Sequence, residues 1–253
     1  MKALKNAIET RGHFINDEVL KVDAFLNHQI DCSLVDEMGN EFYEHFKNKG
    51  ITKVVTIESS GIAPAYATAI RLNVPLIFIK KTQPSTMIDP AFAEVFSFTK
   101  NKTYPICIEK EYLKKGDKVL FIDDFLANGE AFKGTENLIA QAQAEIVGVG
   151  MVIEKAFQKG HAYIAEKGYD LLALASIAGV KNKKITWADE PFSNGHPNSL
   201  VYSMKTTVLV PTFTIVSLVN TALYRKTKNV YVGWFVAAFM AAMILICTNA
   251  FAV

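Results

Sequence analysis

Two adjacent aspartates, Asp123 and Asp124, carry the clearest chemistry in the sequence. They follow four apolar residues in the segment VLFIDDFLANGEAF, residues 119–132, whose first part is typical of a buried strand. Two carboxylates at the mouth of a core repel each other and lose hydration unless a ligand or a metal ion compensates them. Because ionised carboxylates only accept hydrogen bonds, the pair suits a ligand with neighbouring hydroxyls, such as a ribose.

The residues after the aspartates form a turn of small side chains at the start of a predicted helix: Ala127, Asn128, Gly129, Glu130 and Ala131. Consecutive N–H groups and the helix dipole favour a phosphate there, so the whole segment predicts a ribose 5-phosphate site. The structural alternative is that the second aspartate caps a turn, the glycine serves the backbone geometry and the first aspartate is exposed. The four preceding apolar residues favour the binding site, because they place both carboxylates at the mouth of the sheet.

The elements that must position these residues are predicted from five apolar runs that alternate with helical stretches. The runs cover residues 51–59, 74–80, 118–124, 146–154 and 171–177. Continuous apolar strands alternating with helices are typical of an α/β fold with a parallel sheet covered on both faces. Ligands bind at the carboxyl ends of such strands, which is where the sequence places Ser59, Lys80, Asp123 and Glu154.

A second candidate anion site follows the first of these strands, at Ser59, Ser60 and Gly61. Small residues between a strand and a helix let backbone N–H groups approach a diphosphate. The alternative is a tight turn that a serine caps. Lys80 and Lys81, at the end of the next strand, carry the charge needed to pair with the same diphosphate; the alternative is two solvated lysines.

Residues 81–115 lack a regular apolar period and contain three prolines. A long irregular segment inside an α/β domain is often a functional lid. A solvated β-hairpin without a role is the alternative.

The charge of the chain is unevenly distributed. Residues 1–190 carry 23 basic and 25 acidic side chains, whereas residues 191–253 carry four basic and no acidic ones. The near-neutral body argues against a nucleic-acid partner, which needs a basic face. Three widely spaced cysteines favour neither a disulfide framework nor a zinc site, and the N-terminal residues lack the apolar core of a secretory signal. We therefore expect a cytoplasmic domain in a reducing compartment.

The segment VLFIDDFLANGEA resembles the signature of the type I phosphoribosyltransferases, which has four hydrophobic residues, two acidic ones, small residues and a phosphate-binding turn. Asn128 stands where that family usually has threonine, and Glu130 replaces a small residue. Within the family, DDFLANG is similar to the bacterial xanthine phosphoribosyltransferases. The similarity covers residues 1–190 and includes LKVDAFLNHQID from Leu20, TIESSGIAPA from Thr56 and VIEKAFQ from Val152.

The resemblance implies the type I fold, with a parallel-rich sheet, helices on both faces, a small N-terminal hood and a flexible loop. It implies transfer of a phosphoribosyl group from 5-phosphoribosyl 1-diphosphate to a base through an oxocarbenium-like transition state, with Mg²⁺ bound to the diphosphate. Asp123 and Asp124 would hold the ribose hydroxyls, directly or through the metal. Residues 127–131 would bind the 5-phosphate, and residues 59–61 the diphosphate.

For the base, the resemblance implies three residues: Leu20 for apolar contact, Asn27 as both donor and acceptor, and Lys155 as a donor to the 6-oxo group. Phe157 would stack on the ring. The implied reaction converts xanthine to xanthosine 5′-monophosphate in purine salvage, in a homodimer as in the family. The alternatives are an enzyme that prefers guanine or hypoxanthine, a non-catalytic regulator that binds phosphoribosyl diphosphate, and a membrane protein whose soluble half senses nucleotides.

The resemblance ends near residue 190, before a polar linker at 191–205 and a hydrophobic tail at 206–253. The tail contains two uncharged stretches, 206–224 and 230–253, and the second is long enough to span a bilayer. The positive-inside rule favours a single span at 230–253, because the basic residues before it then stay on the side of the catalytic domain. A hairpin of two spans, and a tail that arises from a frame error or a fused reading frame, are the competing interpretations.

Overall fold

The computed structural model describes residues 1–16, 19–97 and 102–188. Its α-helices are α1 (Lys2–Arg11), α2 (Cys32–Phe46), α3 (Ile62–Leu72), α4 (Glu130–Gln141) and α5 (Lys159–Glu166). Single π-helical and 3₁₀ turns lie at Asp23–Asn27 and Lys110–Tyr112. The strands are β1 (His13–Phe14), β2 (Leu20–Lys21), β3 (Lys53–Ile57), β4 (Leu76–Ile79), β5 (Pro90–Ser97), β6 (Lys102–Glu109), β7 (Lys118–Leu126), β8 (Glu145–Lys155), β9 (Leu171–Lys181) and β10 (Lys184–Trp187).

The main sheet contains six strands in the order β10-β9-β8-β7-β3-β4. Every neighbouring pair is parallel except β9 and β10, which are antiparallel. The five predicted strands correspond to β3, β4, β7, β8 and β9, so the predicted α/β fold with a parallel-rich sheet is confirmed. The sequence analysis did not identify β10, because its four residues, KITW, alternate polar and apolar side chains over too short a stretch to stand out from a loop.

Strand β7 explains why the predicted strands are continuously apolar. Leu120 and Ile122 belong to a core that α1, α2 and α3 cover, whereas Val119 and Phe121 belong to a second core that includes α4 and α5. All four side chains are fully buried. Because successive side chains of a strand point to opposite faces, burial of both faces requires apolar residues at every position.

Residues 81–115 contain the antiparallel hairpin β5–β6. One face of this hairpin is buried in the second core through Ala91, Ala93, Val95 and Ile106. Two backbone hydrogen bonds between Lys80 and Cys107 join β4 to the hairpin. The alternative of a solvated hairpin is therefore wrong, because one face of the hairpin is buried in the second core.

The N-terminal residues form a separate two-stranded sheet. Strands β1 and β2 are antiparallel, with Phe14 opposite Leu20. The π-helical turn follows, and its Phe25 and Leu26 are buried. These contacts fix the segment around residue 20 to the body of the domain.

Among the helices of the described residues, none is both long and apolar enough to cross a bilayer. The predicted linker, the appended hydrophobic helices and the predicted span at 230–253 lie outside the described residues.

Candidate active site at the carboxyl ends of the strands

The aspartate pair lies in the last part of β7, where the strand still pairs with β8. Asp123 is opposite Met151 and is only 7% exposed, whereas Asp124 is half-buried. The N–H of Asp124 donates to Asp123 Oδ1 at 3.0 Å, and the N–H of Phe125 donates to Asp124 Oδ1 at 2.9 Å. The alternative with an exposed first aspartate is therefore wrong.

Burial raises the pKa of the Asp123 carboxyl well above 3.8, and the negative charge of Asp124 raises this pKa further. Burial also raises the pKa of Asp124 above its usual value. The positive charge of Lys81 opposes both shifts. The pair therefore holds a proton to higher pH than two solvated aspartates would, and a ligand that donates hydrogen bonds relieves the cost of ionising it.

The predicted phosphate turn lies directly after the pair. Gly129 precedes α4 with a φ of 85°, a left-handed conformation that glycine adopts without strain. No side chain caps α4, so the first N–H groups of the helix are available to an anion. Glu130 adds a negative charge at this end, and Lys133 pairs with it at 2.7 Å.

The second predicted anion site lies beside the first aspartate. Gly61 is buried, and a Cβ there would lie 2.3 Å from Thr56 Oγ1 and 2.8 Å from Asp123 Oδ1. Helix α3 begins after Gly61 without a side-chain cap, so capping by Ser59 or Ser60 does not account for this loop. The peptide bond between Glu58 and Ser59 is cis. The close approach of Thr56 and Asp123 to the backbone at position 61 leaves room only for glycine.

The two lysines after β4 have different surroundings. Lys80 Nζ lies 3.4 Å from Glu58 Oε2 and 4.1 Å from the centroid of the Phe78 ring. The backbone N–H of Lys81 donates to Glu58 Oε1 at 2.7 Å, while its ammonium charge acts on the aspartate pair. Glu58 thus fixes the start of the loop after β4. Of the two lysines, Lys81 is the one whose charge acts on the aspartates.

A cavity of about 340 Å³ opens between β7, the turn before α4 and the hairpin. Seven of the predicted site residues line it: Asp123, Ala127, Asn128, Gly129, Glu130, Ala131 and Lys155. The remaining lining residues are Val19, Val95, Phe96, Tyr104, Phe125, Leu126, Phe132, Met151 and Gln158. The structure therefore brings Asp123, the predicted phosphate turn and Lys155 together around one space.

The predicted base-binding residues are placed differently from one another. Lys155 lines the cavity, and its Nζ lies 5.7 Å from the centroid of the Phe125 ring. Leu20 is 7% exposed and belongs to the first core, while its neighbour Val19 lines the cavity. Asn27 is exposed at the end of the π-helical turn and does not line this cavity.

Sequence reasoning missed Tyr104 and Gln158 as members of the cavity wall. Burial raises the pKa of Tyr104, and the charge of Asp123 adds to this shift. Tyr104 lies in the irregular segment, where no apolar period indicates which residues face inward. Gln158 stands at the end of the VIEKAFQ motif, so its proximity to Lys155 was the available signal.

Two buried side-chain atoms lack a hydrogen-bond partner among residues 1–16, 19–97 and 102–188, namely Thr56 Oγ1 and Gln158 Oε1. Both belong to this region, because Thr56 lies against Gly61 and Gln158 lines the cavity. Buried polar atoms in folded proteins usually have partners. Their concentration here indicates a surface built to receive a polar ligand.

The turn between β8 and α5 is held from several sides. Glu154 is 3% exposed and contacts His161 Nδ1 and Ser176 Oγ, each at 2.5 Å. The N–H of Gly160 donates to the carbonyl oxygen of Ala127 at 3.0 Å. The segment that carries Lys155 is thereby tied to the phosphate turn.

The described residues offer few side chains that could bind a metal ion at this site. Within the part of the chain that the structure describes, no three His, Cys, Asp or Glu side chains converge as a metal site. The neighbouring carboxylates of Asp123 and Asp124 fit the usual Mg²⁺ arrangement, in which one or two carboxylates and substrate phosphates share the ion with water. The residues present therefore fit a Mg²⁺ ion that arrives with a diphosphate.

Comparison with known proteins agrees with this geometry. Residues 21–182 match the family model described as phosphoribosyl transferase domain. Curated proteins named xanthine phosphoribosyltransferase from Staphylococcus aureus strains MRSA252 and Newman are each 47% identical over 191 residues, covering 75% of this chain and all of the relative.

Among solved structures, the adenine phosphoribosyltransferase of Giardia lamblia, complexed with 9-deazaadenine, superposes with a TM-score of 0.60 at 22% identity, covering 68% of this chain and 97% of that one. The adenine phosphoribosyltransferase of Rhodothermus marinus superposes with a TM-score of 0.57 at 21% identity, covering 70% and 100%. These two similarities establish the fold.

Proposed function

This chain belongs to the phosphoribosyl transferase family, and from that premise we propose that it is a xanthine phosphoribosyltransferase. The reaction joins a nitrogen of xanthine to C1′ of 5-phosphoribosyl 1-diphosphate. The C1′–oxygen bond breaks, pyrophosphate leaves, and the product is xanthosine 5′-monophosphate. The 47% identity to curated xanthine phosphoribosyltransferases over their full length supports the choice of base.

One observation carries the proposal: the buried Asp123 and the uncapped start of α4 line the same cavity as Lys155. Asp123 and Asp124 accept hydrogen bonds from the ribose hydroxyls. The backbone N–H groups of residues 127–131 bind the 5-phosphate. The Ser59–Gly61 loop and Lys81 bind the diphosphate. Glu58 accepts a hydrogen bond from the backbone N–H of Lys81 and so fixes the start of the loop after β4.

The catalytic contribution of these residues is orientation and electrostatics, because the reaction needs no protein nucleophile. Positive charge develops on the ribose as the C1′–oxygen bond breaks, and the carboxylates of Asp123 and Asp124, which accept from the ribose hydroxyls, stabilise it. A Mg²⁺ ion held by Asp123, Asp124 and the diphosphate would neutralise charge on the leaving group. Lys81 provides a further positive charge on the same side.

On the base side, Lys155 donates to the 6-oxo group and stabilises negative charge on the ring. Phe125 holds the lysine from one side through its ring face. Leu20 and Asn27 are proposed to complete the site, with Val19 as the apolar contact that reaches the cavity itself. A hydrogen-bond donor placed at the 2-oxo group of the base would favour xanthine over guanine. Guanine has an amino group there and would leave that donor unpaired.

We further propose that the protein is a homodimer. Tyr66 and Ile70, one turn apart on α3, are 59% and 58% exposed, and Phe78 on the edge strand β4 is 39% exposed. Exposed apolar residues on a helix and an adjacent sheet edge are typical of an interface with another copy. Sedimentation velocity at micromolar concentration tests this assembly, and Tyr66→Glu should shift the distribution toward the monomer.

The tail is proposed to tether a cytoplasmic catalytic domain to the membrane through residues 230–253. Those 24 residues contain no charged side chain, and Arg225, Lys226 and Lys228 precede them. The full chain should then sediment with membranes and resist extraction by high salt or alkaline carbonate. A chain that stays in the supernatant would overturn the tether without affecting the proposed reaction.

The reaction is tested by competition. The full chain is incubated with 5-phosphoribosyl 1-diphosphate, Mg²⁺ and an equimolar mixture of xanthine, guanine, hypoxanthine and adenine, and the nucleotides formed are separated and identified by mass. Xanthosine 5′-monophosphate should be the main product. Mainly guanosine or inosine monophosphate would identify a related transferase, and no nucleotide from protein that binds the diphosphate would indicate a sensor.

A further inference from the structure

Gln158 brings an amide group into the wall of the cavity beside Lys155. Its Oε1 is buried and has no hydrogen-bond partner among the described residues. We propose that Gln158 determines base specificity by accepting a hydrogen bond from a ring N–H that flanks the 6-oxo group of the base. This inference rests on the proposed function, because it assigns a partner to the same base.

The amide oxygen forms no hydrogen bond with the described residues. Gln158 occupies the residue before α5, where a shorter polar side chain commonly caps the helix, yet its side chain makes no capping hydrogen bond. A buried amide oxygen without a partner is costly for the folded protein. Such an atom is expected where a ligand completes the hydrogen bond.

The position of Gln158 is fixed by its backbone and by the residues around it. Its N–H donates to the carbonyl oxygen of Lys155 at 2.9 Å, and the N–H of Ala156 donates to Ile177 at 2.9 Å. Glu154 and Gly160 hold the two ends of the same segment through the contacts described above. Because the oxygen is buried, the glutamine side chain must turn to present it to a bound base, and its terminal torsion has a broad energy profile.

The pair of Lys155 and Gln158 has the polarity of one base edge. Lysine only donates and the glutamine oxygen accepts, so together they match a carbonyl next to a ring N–H. A 6-oxopurine presents that pattern, whereas adenine presents an amino donor next to an acceptor nitrogen. With adenine, the lysine would face a donor and the glutamine oxygen would face an acceptor. The pair should therefore reject adenine.

The test uses Gln158→Leu, which removes the acceptor at similar volume, and Gln158→Glu, which keeps an acceptor oxygen. kcat/KM is measured for xanthine and for 1-methylxanthine, whose methyl group blocks the ring nitrogen next to the 6-oxo group. In the parent protein, methylation at the contacted nitrogen should lower kcat/KM by on the order of tenfold. This penalty should vanish in Gln158→Leu and persist in Gln158→Glu.

A second readout distinguishes a binding role from a structural one. Because Gln158→Leu removes an unpartnered buried oxygen, the unfolding temperature of the ligand-free protein should be unchanged or higher, and KM for the diphosphate should stay within about twofold. Methylation penalties that are the same in the parent protein and in Gln158→Leu would overturn the inference. So would a lower unfolding temperature with an equal loss for every base.

The two proposals fail in different ways. If the parent protein transfers the phosphoribosyl group to no base, the proposed function is wrong, and the inference with it. If the parent protein converts xanthine but Gln158→Leu discriminates xanthine from adenine as strongly as before, only the inference is wrong.

Discussion

Gly61 lies so close to Asp123 that a Cβ at position 61 would be 2.8 Å from the Oδ1 atom of the aspartate. The loop proposed to bind the diphosphate and the pair proposed to bind the ribose are therefore in direct contact. Any side chain at position 61 must displace either the loop or the carboxylate. A change that moves the diphosphate loop therefore also affects the aspartate pair, and the reverse.

Gly61→Ala should raise KM for 5-phosphoribosyl 1-diphosphate by about tenfold or more, because the methyl group displaces Asp123 or the loop. Steady-state kinetics with varied diphosphate measures this effect. Gly168→Asn serves as the control, since nothing lies within 4 Å of a Cβ there and asparagine tolerates the φ of 75°. Equal kinetics for Gly61→Ala and the parent protein would contradict the contact.

Asp123→Asn should lower kcat/KM about a hundredfold, because it removes a charged acceptor of the ribose hydroxyls. The same variant should be more stable than the parent protein at neutral pH. The pKa of Asp123 is raised above 3.8 by burial, so ionising it costs stability, and this cost grows as the pH rises from 3.8 through the folded-state pKa. Asparagine carries no such cost.

Thermal unfolding across that pH window measures the stability difference. The advantage of Asp123→Asn should grow with pH, whereas Asp89→Asn, at an exposed carboxylate, should show no such growth. A constant difference between Asp123→Asn and the parent protein at all pH values would rule out the buried charge as the cause.

Lys81→Met and Lys80→Met form a matched pair, since the two lysines are neighbours with different surroundings. Lys81 acts on the aspartates, whereas Lys80 pairs with Glu58. Lys81→Met should raise KM for the diphosphate about tenfold, and Lys80→Met should have a much smaller effect. The opposite order in the same assay would show that Lys80 is the diphosphate ligand.

Gly160→Ala should weaken binding of the 5-phosphate, because a Cβ there would lie 2.5 Å from the carbonyl oxygen of Ala127. The turn before α4 would have to move, and its N–H groups with it. Competition by ribose 5-phosphate against the diphosphate measures the loss, with an expected increase of the inhibition constant of about tenfold. Unchanged inhibition would mean that the turn does not position the phosphate.

The sequence predicted those parts of the site that depend on strand order. Asp123 and the turn at residues 127–131 follow an apolar strand, and the carboxyl ends of parallel strands lie at one edge. The sequence did not show which of Lys80 and Lys81 acts on the aspartates. A strand pattern does not define where the chain turns after the last residue of the strand. Nor did the sequence predict that Tyr104 lines the cavity, since that depends on how the hairpin packs against α4.

Base-binding residues could be proposed only through family resemblance. Lys155 lines the cavity, whereas Leu20 is part of the core and Asn27 is exposed. Neither composition nor periodicity identifies a residue that contacts a base. The unpartnered oxygen of Gln158 became visible only once neighbouring atoms were placed.

The proposed function is tested most directly by the rate of pyrophosphate release by the full chain with 5-phosphoribosyl 1-diphosphate and Mg²⁺, with each base supplied separately. Release should depend on the base, with the highest kcat/KM for xanthine and the lowest for adenine. Equal release with and without a base, or a higher kcat/KM for adenine than for xanthine, would contradict the proposed function.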